Sequence, residues 1–302
     1  MASSTARAVA ALLAVQVLFG LLPVAGKAAF LHIAPVHLLA ARTGGAALVL
    51  LALHPLLVRD PVPRSETPRI LLLALLGVVL NQGLFLLGLS LTTATHATLV
   101  ITTIPVFTYA IAVLLGKEAL GPRRATGIAL ALLGVVYLIG LSGLEADPRR
   151  ALGDLLVAGN SLSFGAFLVL SKPLAERYDA FSLTTAVFLA GAALFVPLGL
   201  LAGLPAAVAA APSSLLWVLG FIVLGPTVGT YVLNATALRS VPASTVAVFI
   251  YLQPIVTAVT AAWLIDEPVT WRLLPAAVLV FLGVWLVARR RPKALRGRVV
   301  GA

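Results

Sequence analysis

The stretch that decides the fold occurs twice in the chain. Residues 104–118 read IPVFTYAIAVLLGKE, and residues 253–267 read QPIVTAVTAAWLIDE. The residues that share this register are Pro105 and Pro254, Glu118 and Glu267, Arg123 and Arg272, and Gly134 and Gly283. Each pair is separated by 149 residues (254 − 105 = 149). One register held over roughly 40 residues indicates an internal repeat that organises the whole chain.

Composition places the chain in a membrane. Of its 302 residues 61% are hydrophobic and only 10% are charged, and the mean hydropathy is +1.10. Soluble domains carry about 25% charged residues. Apolar runs of about 20 residues recur, which predicts helices rather than the alternating strands of a barrel. Because the basic residues lie between apolar runs and in a C-terminal cluster, the net charge of +11 reflects topology and lipid contact, and no nucleic-acid partner is expected.

Turn signals divide the chain into ten predicted spans. They are Ala8–Phe30, Pro35–Leu57, Arg69–Leu89, Ala94–Leu115, Pro122–Leu141, Gly153–Leu174, Phe181–Leu204, Ser213–Leu238, Ala243–Ile265 and Trp271–Ala288. Most of the 21 Lys and Arg residues then fall on one side. Because that side is cytoplasmic in membrane proteins, we expect both termini in the cytoplasm of a bacterial inner membrane.

The repeat therefore spans five membrane crossings, which is an odd number. The second copy must enter the membrane from the opposite face, so residues 1–145 and 146–302 are predicted to be two inverted five-helix repeats, the second with a basic cytoplasmic tail. A weaker echo supports this division, because Phe19-Gly20 and Lys27 recur as Phe164-Gly165 and Lys172. Inverted repeats are typical of transporters, whose substrate site lies between the repeats near the midplane.

Uncharged polar and aromatic residues at helical spacing are the candidates for a substrate cavity. They are Gln16, Phe19, Asn81, Gln82, Phe85, Thr98, Thr102, Asn160, Phe164, Thr227, Tyr231, Asn234, Tyr251 and Gln253. Polar groups that face lipid are costly, so these side chains should face one another or a wet cavity. The alternative is helix–helix hydrogen bonding, which explains Ser and Thr more readily than the large amides and the tyrosines.

Prolines and basic residues within the spans are the remaining candidates. Pro105 and Pro254 lie in mid-span and predict kinks that shape or gate the cavity, although proline is also simply more frequent in membrane helices. Lys27 and Arg42 are candidates for anion handling; alternatively, Lys27 extends to the interface and Arg42 pairs with polar groups inside the bundle.

Two further groups complete the candidate set. His96 is the candidate for proton handling if transport is coupled to protons, because the ordinary pKa of histidine is close to neutral. Glu118 and Glu267 are expected to cap the helix that follows each of them.

The acidic residues exclude several classes of function. Each of the ten Asp and Glu residues falls in a loop or at a span end, so a drug/proton exchanger built on a central carboxylate is not expected. The chain has no cysteine, and its four histidines form no metal-binding pattern. We therefore expect neither an enzyme nor a cofactor or metal, and the oligomeric state stays open.

The motifs together resemble the EamA type of the drug/metabolite transporter superfamily. The resemblance is carried by Phe19-Gly20 with Lys27, by Pro35 with Arg42, and by the two long proline-to-glycine signatures. It implies a ten-helix basket with a central cavity, alternating access between the halves, and export of small metabolites, often amino acids. From these features we predict an exporter or facilitator of small metabolites, amino acids first among them, with aromatic or hydrophobic side chains suited to the aromatic candidates. A multidrug or lipid translocator and a non-transporting scaffold or sensor are the alternatives, and membrane lipid is the expected surroundings.

Overall fold

The computed structural model describes residues 2–58, 61–92, 94–119, 121–139, 148–264 and 273–288, and every regular element within these ranges is helical. The helices are α1 (Ala2–Phe30), α2 (Pro35–Leu57), α3 (Thr67–Ala74), α4 (Asn81–Leu91), α5 (Ala94–Ile101), α6 (Ile104–Leu114), α7 (Pro122–Ile139), α8 (Pro148–Arg177), α9 (Ala180–Leu201), α10 (Leu204–Ala210), α11 (Ser214–Val223), α12 (Thr230–Leu238), α13 (Ala243–Val248), α14 (Gln253–Leu264) and α15 (Leu273–Ala288). Short π or 3₁₀ turns connect α3 to α4, α11 to α12, and α13 to α14.

Seven helical segments within the described ranges are long and apolar enough to cross a membrane. They are Ala6–Phe30, Pro35–Leu57, Arg64–Leu91, Ala151–Arg177, Ala180–Leu201, Ser214–Leu238 and Ala243–Leu264. The apolar α6 is shorter, and α7 and α15 have 18 and 16 residues. The outer surface is apolar as well, since Trp217 and Trp263 are 84% and 86% exposed. The prediction of an all-helical, multi-pass membrane protein is thus confirmed.

Local sequence signals set the ends of the regular helices. Pro35 begins α2 because its missing N–H is not needed in the first turn, and α2 has the predicted bounds, Pro35–Leu57. Asp179 begins α9, because its carboxylate accepts hydrogen bonds from the Phe181 and Ser182 amides at 2.8 and 3.1 Å.

Helix irregularities recur at the repeat distance. The π-helical turns Leu75–Leu80 and Leu224–Gly229 begin 149 residues apart (224 − 75 = 149). The α-helical path is also interrupted between α5 and α6, at Thr102 and Thr103 directly before Ile104-Pro105. Its counterpart is the 3₁₀ turn Phe249–Leu252, which directly precedes Gln253-Pro254. A proline cannot donate to the preceding turn and its ring crowds that turn, which accounts for an interruption just ahead of each one.

Helices from the two halves of the chain pack in crossed pairs. α2 lies against α9 and α7 against α15. α1 packs on α12 and α14, and α8 packs on α4 and α6. The middle of the bundle is therefore built from segments far apart in sequence.

Glycines allow two of these crossings to approach closely. A Cβ atom on Gly20 of α1 would lie 2.6 Å from Cβ of Val256 on α14, and Thr257 donates to the Gly20 carbonyl at 2.7 Å. A Cβ atom on Gly165 of α8 would lie 3.0 Å from the amide nitrogen of Thr108 on α6. At both crossings the glycine backbone therefore contacts the neighbouring helix directly and leaves no room for a side chain. Small residues commonly permit such close packing in membrane bundles.

Candidate functional site

A cavity lies at the centre of the bundle between α1, α2, α4, α8 and α14. Its lining residues are Phe19, Leu22, Arg42, Asn81, Phe85, Ile101, Ile104, Asn160, Phe164, Ile250 and Gln253. The whole space between the lining atoms is about 430 Å³, of which about 50 Å³ is open to the centre of a water molecule. The cavity is narrow, and it combines an apolar wall with a few polar side chains, which is the usual make-up of a small-molecule site.

The structure brings six of the fourteen candidate cavity residues to this lining. They are Phe19, Asn81, Phe85, Asn160, Phe164 and Gln253. The others are buried around it, and Tyr231 and Asn234 line a separate, smaller void. The lining also contains Leu22, Ile101, Ile104 and Ile250. A search for polar and aromatic residues in the sequence does not identify these four. Ile101 and Ile250 lie four residues before the two prolines, so the helix-break signal could have identified them.

Asn81 is the centre of a hydrogen-bond network beside the cavity. Its carbonyl accepts from the Asn160 side-chain amide at 2.7 Å, and its side-chain amide lies within hydrogen-bond distance, 3.0 Å, of the Tyr231 hydroxyl. The same hydroxyl makes a short hydrogen bond to the Gly77 carbonyl within the first π turn. The network joins α4, α8 and α12, so these cavity walls are held in a defined relation.

A second polar contact joins the first and fourteenth helices. The Gln253 amide donates to the Gln16 side-chain oxygen at 2.8 Å, and both residues are buried. Gln253 follows directly after the 3₁₀ turn and also lines the cavity. Lipid offers no hydrogen-bond partner to a buried side-chain amide, so the two glutamines pair with each other. Because the pair forms at only one relative position of the helices, it fixes the register between α1 and α14.

Arg42 brings a permanent positive charge into the interior. It is only 2% exposed, and it lines the cavity. Its Nε donates to the Thr227 hydroxyl at 2.7 Å and its Nη2 to the Pro226 carbonyl at 3.2 Å. Both acceptors belong to the second π turn, and Pro226 is the register equivalent of Gly77. The pairing of Arg42 with polar groups inside the bundle is thus a feature of the structure.

Aromatic rings form one wall of the interior. The rings of Phe19 and Phe164 meet edge to face at 6.3 Å between centroids, and Phe164 stacks on Phe167 at 5.7 Å. Tyr231 adjoins this group through ring contacts with Phe164 and Phe167 at 6.2 and 5.8 Å, and it also meets Phe188 edge to face at 4.8 Å. Such a wall suits an apolar or aromatic group of a ligand.

Several buried polar atoms have no partner in the described structure. They are both amide atoms of Gln82, Oδ1 of Asn234, the hydroxyl of Tyr251 and Nη2 of Arg123. Gln82, Asn234 and Tyr251 are sequence candidates for the cavity. Unpaired polar groups are costly in an interior without water, so these atoms need a water molecule or a ligand.

Two lysines, one on each side of the bundle, donate hydrogen bonds to carbonyls at the C-termini of helices. Lys27 donates to the Thr92 carbonyl at 2.6 Å, just past the end of α4, and we call this the Lys27 end. Lys172 donates to the Leu238 and Val241 carbonyls at 2.8 and 3.3 Å, just past the end of α12. Cations at helix C-termini satisfy carbonyls that the helix leaves unpaired. Both lysines therefore have a structural partner rather than extending freely to the interface.

Glu118 joins segments from both halves at the other end, which we call the Glu118 end. Its side chain is 7% exposed and pairs with Arg124 of α7 at 2.6 Å. It also accepts from the Ser244 amide at 3.1 Å and makes a short hydrogen bond with the Ser244 hydroxyl. Glu118 thus contacts the first turn of the next helix, α7, through Arg124, and its carboxylate also accepts a backbone amide from the first turn of α13.

The Glu118 end also contains a wide charged vestibule. Its volume is about 340 Å³, and Lys117, Glu118, Arg124, Lys172 and Glu176 line it. The candidate proton-handling side chain of His96, by contrast, lies outside the described part of the structure, as do Glu267 and the other residues of 265–272.

An all-helical membrane bundle that encloses a small polar-lined cavity is the architecture of a membrane transporter. The chain belongs to the EamA-like transporter family, whose model matches it twice, at residues 6–140 and 151–289.

Relatives of known sequence agree with this assignment. An uncharacterized transporter of Archaeoglobus fulgidus is 28% identical over 75% of this chain and 78% of its own length. The uncharacterized transporter YyaM of Bacillus subtilis is 23% identical over 80% and 81%. A WAT1-related protein of Arabidopsis thaliana is 26% identical over 76% and 66%. A protein crystal structure with 19% identity superposes with a TM-score of 0.74 over 94% of this chain and 98% of that chain, which supports the fold.

Proposed function

We propose that the protein is an exporter or facilitator of small metabolites, amino acids with apolar or aromatic side chains first among them. The central cavity is the observation that carries this proposal. It combines the Phe19 and Phe164 rings with the amides of Asn81, Asn160 and Gln253. Amides suit the polar backbone of an amino acid and the rings suit its side chain. The positions of Gln82, Asn234 and Tyr251 support a polar cargo pathway next to the cavity.

The proposed mechanism is alternating access between two inverted five-helix repeats, residues 1–145 and 146–302. Three matched features support the inversion. The π turns, the helix interruptions ahead of Pro105 and Pro254, and the lysine contacts at helix ends each occur once per half. Since α5 begins beside Thr92 at the Lys27 end and α13 begins at Ser244 at the Glu118 end, equivalent helices run in opposite directions.

Orientation follows from the distribution of basic residues. The Glu118 end contains Lys117, Arg124 and Lys172, and we assign it to the cytoplasm of a bacterial inner membrane together with both termini. Glu118 then closes the cytoplasmic mouth, and the helix breaks near Pro105 and Pro254 act as hinges.

Transport by purified protein in liposomes tests the proposal. Labelled leucine and phenylalanine should equilibrate faster across protein-containing vesicles than across empty ones. The variant Asn81→Ala should lower the flux, because it removes a cavity amide and a hydrogen-bond partner of Tyr231. Equal flux in empty and protein-containing vesicles, with folded protein, would exclude amino-acid transport. Faster movement of a fluorescent lipid or a cationic dye instead would favour the translocator alternative.

A further inference from the structure

The charge balance of the central cavity is one-sided. Arg42 is buried and lines the cavity. No Asp or Glu belongs to the lining, and no carboxylate pairs with Arg42 anywhere in the described ranges. A buried cation that lacks a counter-charge is costly in the membrane interior and marks a functional site. Something negative is therefore needed to balance this charge.

The guanidinium is held along one edge only. Nε and Nη2 form the edge that donates to Thr227 and Pro226. Arginine has five N–H donors in a planar fork, so the edge formed by Nη1 and Nη2 keeps donors for another partner. Two parallel N–H groups match the two oxygens of a carboxylate.

The second π turn presents this fork. A π turn contains one more residue per turn than an α-helix, which leaves backbone carbonyls outside the usual ladder. The Pro226 carbonyl and the Thr227 hydroxyl are both taken from this turn, and Thr227 is fully buried. Arg42 is thereby fixed by two neutral acceptors, which orient it without cancelling its charge.

We propose that Arg42 binds the carboxylate of the cargo, so that the transported molecules are carboxylates, and that the Pro226-Thr227 turn positions it for this role. The inference rests on the proposed transport function. The amides of Asn81, Asn160 and Gln253 surround the same space but carry no charge. The cavity therefore selects for a negative group and offers no full counter-charge to a cation.

A series of cargo analogues tests the proposal on the unmodified protein. Leucine and phenylalanine are compared with their primary amides and with the corresponding acids that lack the amino group, as competitors of flux and as stabilisers in thermal unfolding. We expect the amides to bind about 10- to 100-fold more weakly than the amino acids, because they lose a charge-assisted pair of hydrogen bonds. The acids without an amino group should keep most of the affinity.

Variants test the residue itself. Arg42→Lys keeps the charge but loses the fork, so it should weaken carboxylate binding about tenfold or more while binding of the amides stays unchanged. Thr227→Val removes one orienting acceptor and should weaken binding of carboxylates selectively. Arg69→Lys makes the same change at an arginine that is 61% exposed and should have no effect.

The possible results separate the two proposals. Flux with equal affinity for acids and amides would overturn the role of Arg42 and leave the transport function standing. Binding of carboxylates without flux would uphold the Arg42 site and overturn transport. Absence of both would overturn both. Because the analogue series uses the unmodified chain, a variant that fails to fold does not remove the test.

Discussion

Replacement of Glu118 by glutamine should open the bundle at the Glu118 end. The carboxylate accepts from the Ser244 amide through Oε1, and from the Ser244 hydroxyl and Arg124 through Oε2. A glutamine amide has one oxygen and one NH₂ group. Whichever way it turns, its NH₂ faces either the Ser244 amide or the Arg124 guanidinium, so one donor meets another donor.

The magnitude follows from the burial of this site. The Glu118 side chain is 7% exposed, so the lost interaction is only weakly replaced by water. Hydrogen bonds to charged groups contribute about 1.5–3 kcal/mol. If the contact exists only when this mouth is closed, its loss shifts the equilibrium toward the open state by about 10- to 150-fold.

Cysteine accessibility measures this shift directly, because the chain contains no cysteine of its own. A single cysteine in place of Leu22, which lines the central cavity, is labelled with a membrane-impermeant maleimide from each side of oriented vesicles. Glu118→Gln should speed labelling from the Glu118 side. Glu176→Gln is the matched control, since Glu176 lines the same vestibule but its pair with Lys172 is 50% exposed and contributes little. Equal labelling rates in the parent and Glu118→Gln proteins would refute the reasoning.

Three further substitutions test the packing and the polar network. Gly20→Val should lower the thermal unfolding midpoint through an overpacking cost of about 1–3 kcal/mol, whereas Gly220→Val, where a Cβ meets no atom within 4 Å, should leave it unchanged. Tyr231→Phe removes the hydroxyl that donates to the Gly77 carbonyl and contacts the Asn81 side chain and should destabilise by about 1–2 kcal/mol in reversible unfolding; an unchanged midpoint would contradict the network. Asp179→Ala removes the cap of α9 and should cost about 1 kcal/mol by the same measurement, with Asp179→Asn retaining most of the stability.

The sequence predicted helix bounds well where a proline marks the boundary of an apolar run. α2 matches its predicted bounds because Pro35 begins it. The predicted span Ala94–Leu115 did not match a single helix. Its apolar run is continuous in composition, but the structure divides it into α5 and α6. The break is set by backbone geometry ahead of Pro105, which marks the place of a kink without giving its extent.

The candidate site was predictable in type but not in arrangement. Helical stripes identified Asn81, Asn160 and Gln253, which line the cavity. The same reasoning grouped Tyr231 with them, but its hydroxyl bonds to the Gly77 carbonyl and the ring turns toward Phe188. A free carbonyl in a π turn has no sequence signature, because it depends on how the chain winds and not on which side chains are present.

The two π turns also bear on how this site can diversify. Each contains one residue more per turn than an α-helix, so a single deletion within Leu75–Leu80 or Leu224–Gly229 can be absorbed by a return to α-helical winding. The helix stays continuous, and the residues after the turn keep their orientation relative to those before it, because the extra residue was held within a single turn. One deleted codon would thus leave the flanking side chains in place and withdraw the carbonyl that holds Tyr231 or Arg42. Changes in chain length at these two places can therefore alter these two polar contacts while the rest of the lining is kept.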